Sequence, residues 1–571
     1  MTTRANTIAL WLAVLSVAAL WPGALDRWVL PKILLLGVAA LVSLLAVPRG
    51  RLPRWALILI GAGTLVLVIA ALFGESPLAA LLGIWPRFEG LVTGGGYLIA
   101  LWLGARLRAM AREFVAPVVT LGLLVGAVSI AEALGARPFP SDLARPGSLL
   151  GNATDQGAVG AVVVLLLMLP LWRARGVFRW FVAAGVLAGL FTVIAAGSRA
   201  ALLALLLGIA AIVVVEGRRN RRALVAGAGL FAATIAAALL APSIGPRLLG
   251  SSSFSASTIA DRWLIWSESL ELVARHPLAG VGPSGFVDAI VGVHNVRWFS
   301  SIGQTTVLDS PHNAALQLLV VGGPLLLAIG VAFLVGAVRT VIRQRGDFSQ
   351  AVTVAAIAVV LLTHVTSPST VLLAMLLVGG LISSPASAPR KRARIAAAAV
   401  ITAWLAVVSV TLAGEVALGG GDFATAAALR PWDTRTPLIA AEALTARVDG
   451  GDAGAATSAL EWSQRALEAA PTSTPAAKAL ITSALAVGDL DTARATAEKF
   501  AELRPNEPWI ASRLGAIRLL DGDDVAAEKL LLRATELDPT FADPWLTLAY
   551  LYEQRGDTAR AAAASARAAE L

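Results

Sequence analysis

An all-α, polytopic membrane protein followed by a soluble helical-repeat tail is the fold class that this sequence predicts. Three observations predict it. The chain of 571 residues is 57% apolar and only 15% charged, against about 25% charge in soluble domains. Apolar runs of about 15–25 residues recur from Thr7 to Leu412, each able to cross a hydrocarbon core of about 30 Å as a helix. After Gly414 the composition turns alanine-rich and polar, and a Gly-Asp pair returns every 34 residues.

Thirteen apolar segments follow one another, at about 7–21, 31–47, 55–73, 91–105, 114–134, 157–172, 178–196, 200–215, 223–241, 313–337, 350–366, 368–382 and 396–413. The first is followed by many others and shows no cleavage site, so it reads as a membrane helix and not a removed signal peptide. The connecting loops alternate in charge. "PRGRLPR", "RLRAMAR", "RARGVFR", "EGRRNRR", "RTVIRQR" and "PRKRAR" are short and densely basic, which makes them cytoplasmic. The amino terminus is then inside, and everything after Gly414 is outside. The long loop 242–312 faces out as well. The net charge of +9 therefore marks membrane orientation and implies no nucleic-acid surface. There are no cysteines, which excludes disulfides and thiolate metal sites.

The tail reads as an array. Gly488-Asp489, Gly522-Asp523 and Gly556-Asp557 share their 34-residue period with Pro471, Pro505 and Pro539. Trp545, Leu548, Ala549 and Tyr552 fit the first helix of a tetratricopeptide unit, and Ala527, Ala534 and Pro539 fit later positions of the preceding one. The organisation is then a membrane domain over 1–414, a linker or degenerate repeat over 415–439, and three to four repeats over 440–571. Such arrays stack into a curved surface that binds partners, and a protein partner is the expectation. The acidic Asp489–Asp491 run is a repeat turn in this reading, not a metal site.

Several arginines run against the charge bias: Arg87, Arg145, Arg199 and Arg262 all fall on the outer side. An arginine at a membrane boundary needs an anionic partner or a watery cavity, unless it snorkels to the headgroups. Arg199 is the sharpest case, because Gly197 and Ser198 form a tight turn beside it and apolar segments flank it closely. All four histidines lie on the same side.

Four stretches stand together there: "RPGSLLGNATDQGA" (145–158), "AAGSRAALLAL" (195–205), "DRWLIWSESLELVARHPLAGVGPSGF" (261–286) and "DSPHNAALQLL" (309–319). In order and spacing, over roughly residues 55–380, they resemble the O-antigen ligase and polymerase superfamily of bacterial membrane glycosyltransferases. Val321 before Gly322 and Asp155 depart from the family's common pattern. The resemblance implies transfer of a glycan from a polyprenyl diphosphate carrier to an acceptor hydroxyl, outside the cytoplasmic (inner) membrane. It implies no cofactor beyond that lipid-linked donor, and a glycan, lipid or protein as acceptor. A protein O-glycosylating transferase shares this donor chemistry. A transporter or flippase for lipid-linked glycan is a different reading, and would place charges near mid-membrane.

The leaving diphosphate needs its charge stabilised, and arginine grips phosphate oxygens bidentately while staying charged. Arg199 and Arg262 are the expected diphosphate-binding residues. The outer loops show no acidic pair of the kind that holds a metal, so a metal-free site is expected. The attacking hydroxyl gains from a base, and the expected base is His312. Ser310 suits an N-cap and Pro311 the first helical position. That would put His312 and Asn313 in the first turn, where the positive helix end disfavours protonation. An interfacial hydrogen-bonding role is the structural alternative for His312, as headgroup anchoring is for Arg262 on an amphipathic helix at 261–275. Asp309, Asn313, Asn152, Arg145 and Arg87 are supporting candidates. Arg87 pairing with Glu89 to cap a loop, and Asn152 holding a turn, fit their positions equally well. His294-Asn295 repeats the His-Asn pair with no membrane helix behind it. His276 reads as structural, and His364 is given no role.

Overall fold

The computed structural model describes residues 2–74, 76–109, 111–139, 145–218, 220–249, 254–304, 307–386 and 391–571. Arg219 and Arg390 of the basic loops lie outside them. Each of the thirteen apolar segments falls on a helix. Eight of these helices are long and apolar enough to cross a membrane, among them Arg54–Leu72, Ala153–Arg173, Arg199–Gly217 and Ala314–Gln344. Five shorter apolar helices occupy the remaining segments: Arg4–Ala18, Val29–Ser43, Leu91–Leu107, Phe348–Leu361 and Pro368–Ile382. A span count of thirteen therefore rests on those five. The helix Ala153–Arg173 is the centre of the bundle, with Val159, Val163, Leu165 and Leu167 fully buried. It packs on Ala111–Ala133, Gly176–Ala196 and Arg199–Gly217. On the basic-loop side, two residues at Gly50–Arg51 pair antiparallel with Ser384–Pro385.

The apolar run 313–337 is not one rod. The helix Ala314–Gln344 loses helical backbone at Gly322 (φ −137°) and Gly323 (φ 67°), just before Pro324. An eight-residue half-helix, 314–321, is thereby separated from the longer segment 324–344. The break frees carbonyl groups, and a buried free carbonyl is costly. The glycine-rich run after His276 supplies the donors: Val281 N–H bonds to the Val320 carbonyl at 2.9 Å and Gly282 N–H to the Val321 carbonyl at 3.0 Å. The approach is close enough that a Cβ on Gly280 would lie 2.2 Å from the Val320 oxygen, and one on Gly323 would lie 2.3 Å from the Leu278 oxygen. The His-Pro-Leu-x-Gly-x-Gly-Pro run is thus the socket for a broken helix.

The last apolar helix, Lys391–Gly419, enters the tail through a buried ionic knot. Arg430 is 1% exposed and lies 2.6 Å from Glu415 and 3.1 Å from Asp433. Its Nη2 donates to Thr436 Oγ1 at 3.1 Å, and Glu415 also accepts from the Asp26 amide at 2.8 Å. Removing one partner of such a knot leaves an uncompensated buried charge. Arg430→Ala is therefore expected to destabilise the protein by about 3–5 kcal/mol, read as a lowered unfolding midpoint in detergent. An unchanged midpoint would show that the knot does not fix the root of the tail.

Beyond it, four helix pairs stack from Arg435–Asp449 to Thr558–Ala569. The 34-residue Gly-Asp signal has a local cause. Gly488, Gly522 and Gly556 adopt left-handed φ of 81°, 79° and 72° after the first helix of a pair, which glycine tolerates without strain. The aspartate that follows caps the second helix: Asp489 accepts from the Thr492 amide, Asp523 from Ala526 and Asp557 from Arg560. The repeats lie on the same side as the loop 242–312. Arg435 pairs with Asp288 at 2.6 Å, and Gln304 Nε2 donates to Asp538 at 2.6 Å.

Candidate functional site

The amphipathic helix runs over Phe254–Arg275, longer than the 261–275 stretch in which the pattern is visible. Glu271 and Arg275 pair at 2.5 Å, as their spacing predicts. Arg262 on this helix donates to the Thr363 carbonyl, and Trp266 Nε1 donates to the Pro311 carbonyl at 3.0 Å. The helix thereby holds both the 311–313 segment and the turn at 363–367.

The cap of the half-helix differs from the expectation. Asn313, not Ser310, is the N-cap: its side chain accepts from the Ala315 and Leu316 amides at 3.0 and 3.1 Å. Ser310 Oγ accepts from the His312 amide instead, and His312 sits outside the helix at φ 52°. Both Ser and Asn are good caps; the left-handed turn at His312 decides between them. Two of the first-turn amides are consequently occupied by Asn313. The helix end is thus not the main source of a neutral His312. Burial is: it depresses the imidazole to about 4, opposed by Asp309 and reinforced by Arg262, His364 and Arg87. Nδ1 of His312 is shielded and has no hydrogen-bond partner among the described residues.

Arg262, which acts on this histidine, is one end of a line of four arginines linked pairwise by their charges. Arg199 starts its helix, with Ser198 as N-cap accepting from Ala201. Arg145 donates to the Ala196 and Gly197 carbonyls, both at 3.1 Å, and Arg247 to the Gly197 carbonyl at 3.2 Å. Those bonds fit the negative end of Gly176–Ala196. They use few of the five donors on each guanidinium, and Arg247 Nε is buried without a partner among the described residues. The four charges repel one another. Burial and then Arg247 lower the pKa of Arg145, burial and then Arg199 that of Arg247, and burial and then Arg199 that of Arg262. Among the described residues none of the four has a carboxylate partner. Arg247 was missed by the sequence reading. The rule that singled out Arg145 and Arg199, an isolated basic residue on the side away from the densely basic loops, would have found it.

On the other flank of His312, Arg87 lies 3.0 Å from Glu89 and donates to the Thr366 carbonyl at 2.6 Å. Glu89 in turn accepts from Gln317 of the half-helix at 2.8 Å, and burial, then Asp309, raise its pKa against the pull of Arg87. The Arg87–Glu89 pair therefore does more than cap its own loop: it ties the half-helix to the 366 turn. Asn152 is the N-cap of Ala153–Arg173, accepting from the Thr154 amide at 2.7 Å. His364, given no role from sequence, is 4% exposed, stands 3.4 Å from Asp155, and faces His312 closely enough to lower its pKa. Ser367 also donates to Asp155 at 2.7 Å. His294 lies elsewhere, paired with Glu268 at 2.7 Å and stacked on Trp298.

Two family models match parts of the chain. Residues 183–331 match the family described as O-antigen ligase, a span that holds Arg199, Arg247, Arg262 and His312. Residues 530–563 match a tetratricopeptide repeat. No curated protein is significantly similar to the chain. Among solved structures, MamA AMB-1 is 24% identical over 29% of this chain and 90% of its own length, with a TM-score of 0.23. MamA MSR-1 is 24% identical over 28% and 91%, with a TM-score of 0.22. The chain is an O-antigen ligase-like membrane protein with a carboxyl-terminal tetratricopeptide region.

Proposed function

We propose that the protein transfers a glycan from a polyprenyl diphosphate to an acceptor hydroxyl at the face of the cytoplasmic membrane that bears the repeats. One observation carries this reading: a line of mutually repelling arginines, without acid partners among the described residues, ends at a neutral imidazole with an orphaned nitrogen. Such a line is incomplete without an anion of more than one charge. In the step proposed, the acceptor oxygen attacks the anomeric carbon of the donor sugar and forms the new glycosidic bond. The bond from that carbon to the phosphate oxygen breaks. His312 takes the hydroxyl proton, and Arg199, Arg262, Arg247 and Arg145 hold the departing polyprenyl diphosphate. Guanidinium groups in a shielded site stabilise that charge without a metal ion. Asp309 stands ready to stabilise the imidazolium that forms.

The test is a proteoliposome assay in which accessibility of the tail to protease fixes the sidedness. Lipid-linked glycan and acceptor supplied on the tail-bearing face are expected to yield one polyprenyl diphosphate per new glycosidic bond. Passage of intact donor across the bilayer without that release would overturn the reading in favour of transport.

A further inference from the structure

Between the loop 242–312 and the first repeats lies a cavity of about 460 Å³, within the range of about 300–1,000 Å³ usual for small-ligand sites. None of the four arginines lines it, but it is joined to the site by sequence, because Leu308 lines it and Asp309 acts on His312. We infer that this cavity is a saccharide subsite, holding sugar rings of a glycan substrate away from the reacting bond. The inference rests on the transfer reading for the identity of the glycan, but not for the existence of the site.

The lining decides the ligand class. Trp298, Phe299 and Trp509 supply apolar aromatic surface, suited to the carbon–hydrogen faces of sugar rings. Besides Glu507 Oε1, which is held by its ion pair with Lys478, four buried polar atoms on lining residues have no hydrogen-bond partner among the described residues: Gln304 Oε1, Arg435 Nε, Thr445 Oγ1 and Thr474 Oγ1. Leaving buried polar groups unpaired is costly, and four around one cavity call for a ligand that pairs with them. The set contains an acceptor, a donor and two hydroxyls that do either. Sugar hydroxyls also donate and accept, and match it. The charged lining argues for a neutral chain. Lys478 is neutralised by Glu507 at 2.7 Å and Arg435 by Asp288 at 2.6 Å, while Glu442 and Asp449 at the same cavity form no ion pair among the described residues. An anionic sugar would be repelled.

The wall of this cavity also explains why the repeats sit where they do. Gln304 and Leu308 come from the membrane domain's loop, and Thr445, Thr474 and Trp509 from the repeats. Neither part makes the site alone.

The test uses the full chain in nanodiscs with His312→Ala, so that binding is read without turnover. The probes are neutral tetrasaccharides of hexose or N-acetylhexosamine units, followed by saturation-transfer NMR and tryptophan fluorescence. Binding by one of these probes is expected. The double substitution Thr445→Val with Thr474→Val keeps side-chain volume and is expected to weaken it about tenfold, from the loss of two net hydrogen bonds. Thr558→Val, on the exposed surface of the last helix, is expected to leave it unchanged. A diazirine-bearing tetrasaccharide on the unsubstituted cavity gives a second measurement, with labels expected within 298–308 or 445–509. Absence of binding by every probe, binding unaffected by the double substitution, labels elsewhere, or displacement of the sugar by neutral peptides would each overturn the inference. None of these outcomes touches the transfer reading, which stands or falls on release of polyprenyl diphosphate.

Discussion

Replacing His312 by alanine is expected to lower transfer about 100- to 10,000-fold, the usual loss on removing a general base, while lipid-linked donor still binds. The arginines that would hold the diphosphate are on other elements, so binding and proton removal separate. The pH profile adds a sharper expectation. The buried imidazole, depressed to about 4, stays neutral from neutral pH down to that value. The acid limb of kcat/KM, which reports the free enzyme, is therefore expected near pH 4 and not near the ordinary histidine value of about 6.5. Bound diphosphate neutralises Arg262, one of the groups that depress His312. The limb of kcat is then expected at higher pH than that of kcat/KM. A near-normal rate for His312→Ala, or coincident limbs, would remove His312 from its role. Asp309 would be the next candidate base.

The second large effect concerns the arginine line. Arg199→Ala and Arg262→Ala are each expected to cut transfer about 100- to 1,000-fold, as loss of one fixed donor to a developing charge does. Lysine is expected to restore little, because it lacks the planar fork. Arg247→Ala is expected to belong with them. A structural arginine and a substrate-binding one part company in the resting protein. Taking one charge out of a self-repelling group relieves repulsion, so these variants are expected to unfold at a higher temperature than the parent when no donor is present. Lower activity with higher stability is the signature of a site strained for function. Variants that lose both would show that the arginines only hold the fold together.

The sequence carries most of the architecture because the signals are local. Apolar runs locate helices, loop arginines predict an orientation, and the Gly-Asp pairs mark one left-handed glycine followed by one capping aspartate. The broken helix was also written there, in "VVGGPLLL", but hydropathy does not register a backbone break inside an apolar run. The cap at Asn313 was hidden for another reason. Ser310 and Asn313 are both competent caps, and the left-handed turn at His312, next to a Pro311 held by Trp266, selects one. His364, Asp155 and Arg247 are brought to the site by contacts across scores of residues, and no pattern within one segment encodes such a meeting. Arg247 alone had a readable signal, its charge on the wrong side.

The glycine socket that breaks the helix at Gly322 has a mechanical result. A continuous helix would act as a lever, and each change in bilayer thickness, met by tilting of the segment 324–344, would swing its outer end. With the break held by Val281 and Gly282, the half-helix is instead clamped to the loop, to Glu89 and to the amphipathic helix. Tilt is absorbed at the joint. Under the transfer reading, the alignment of His312 with its arginines is expected to be insulated from the membrane around it, and the transfer rate is expected to vary little across lipids of different chain length.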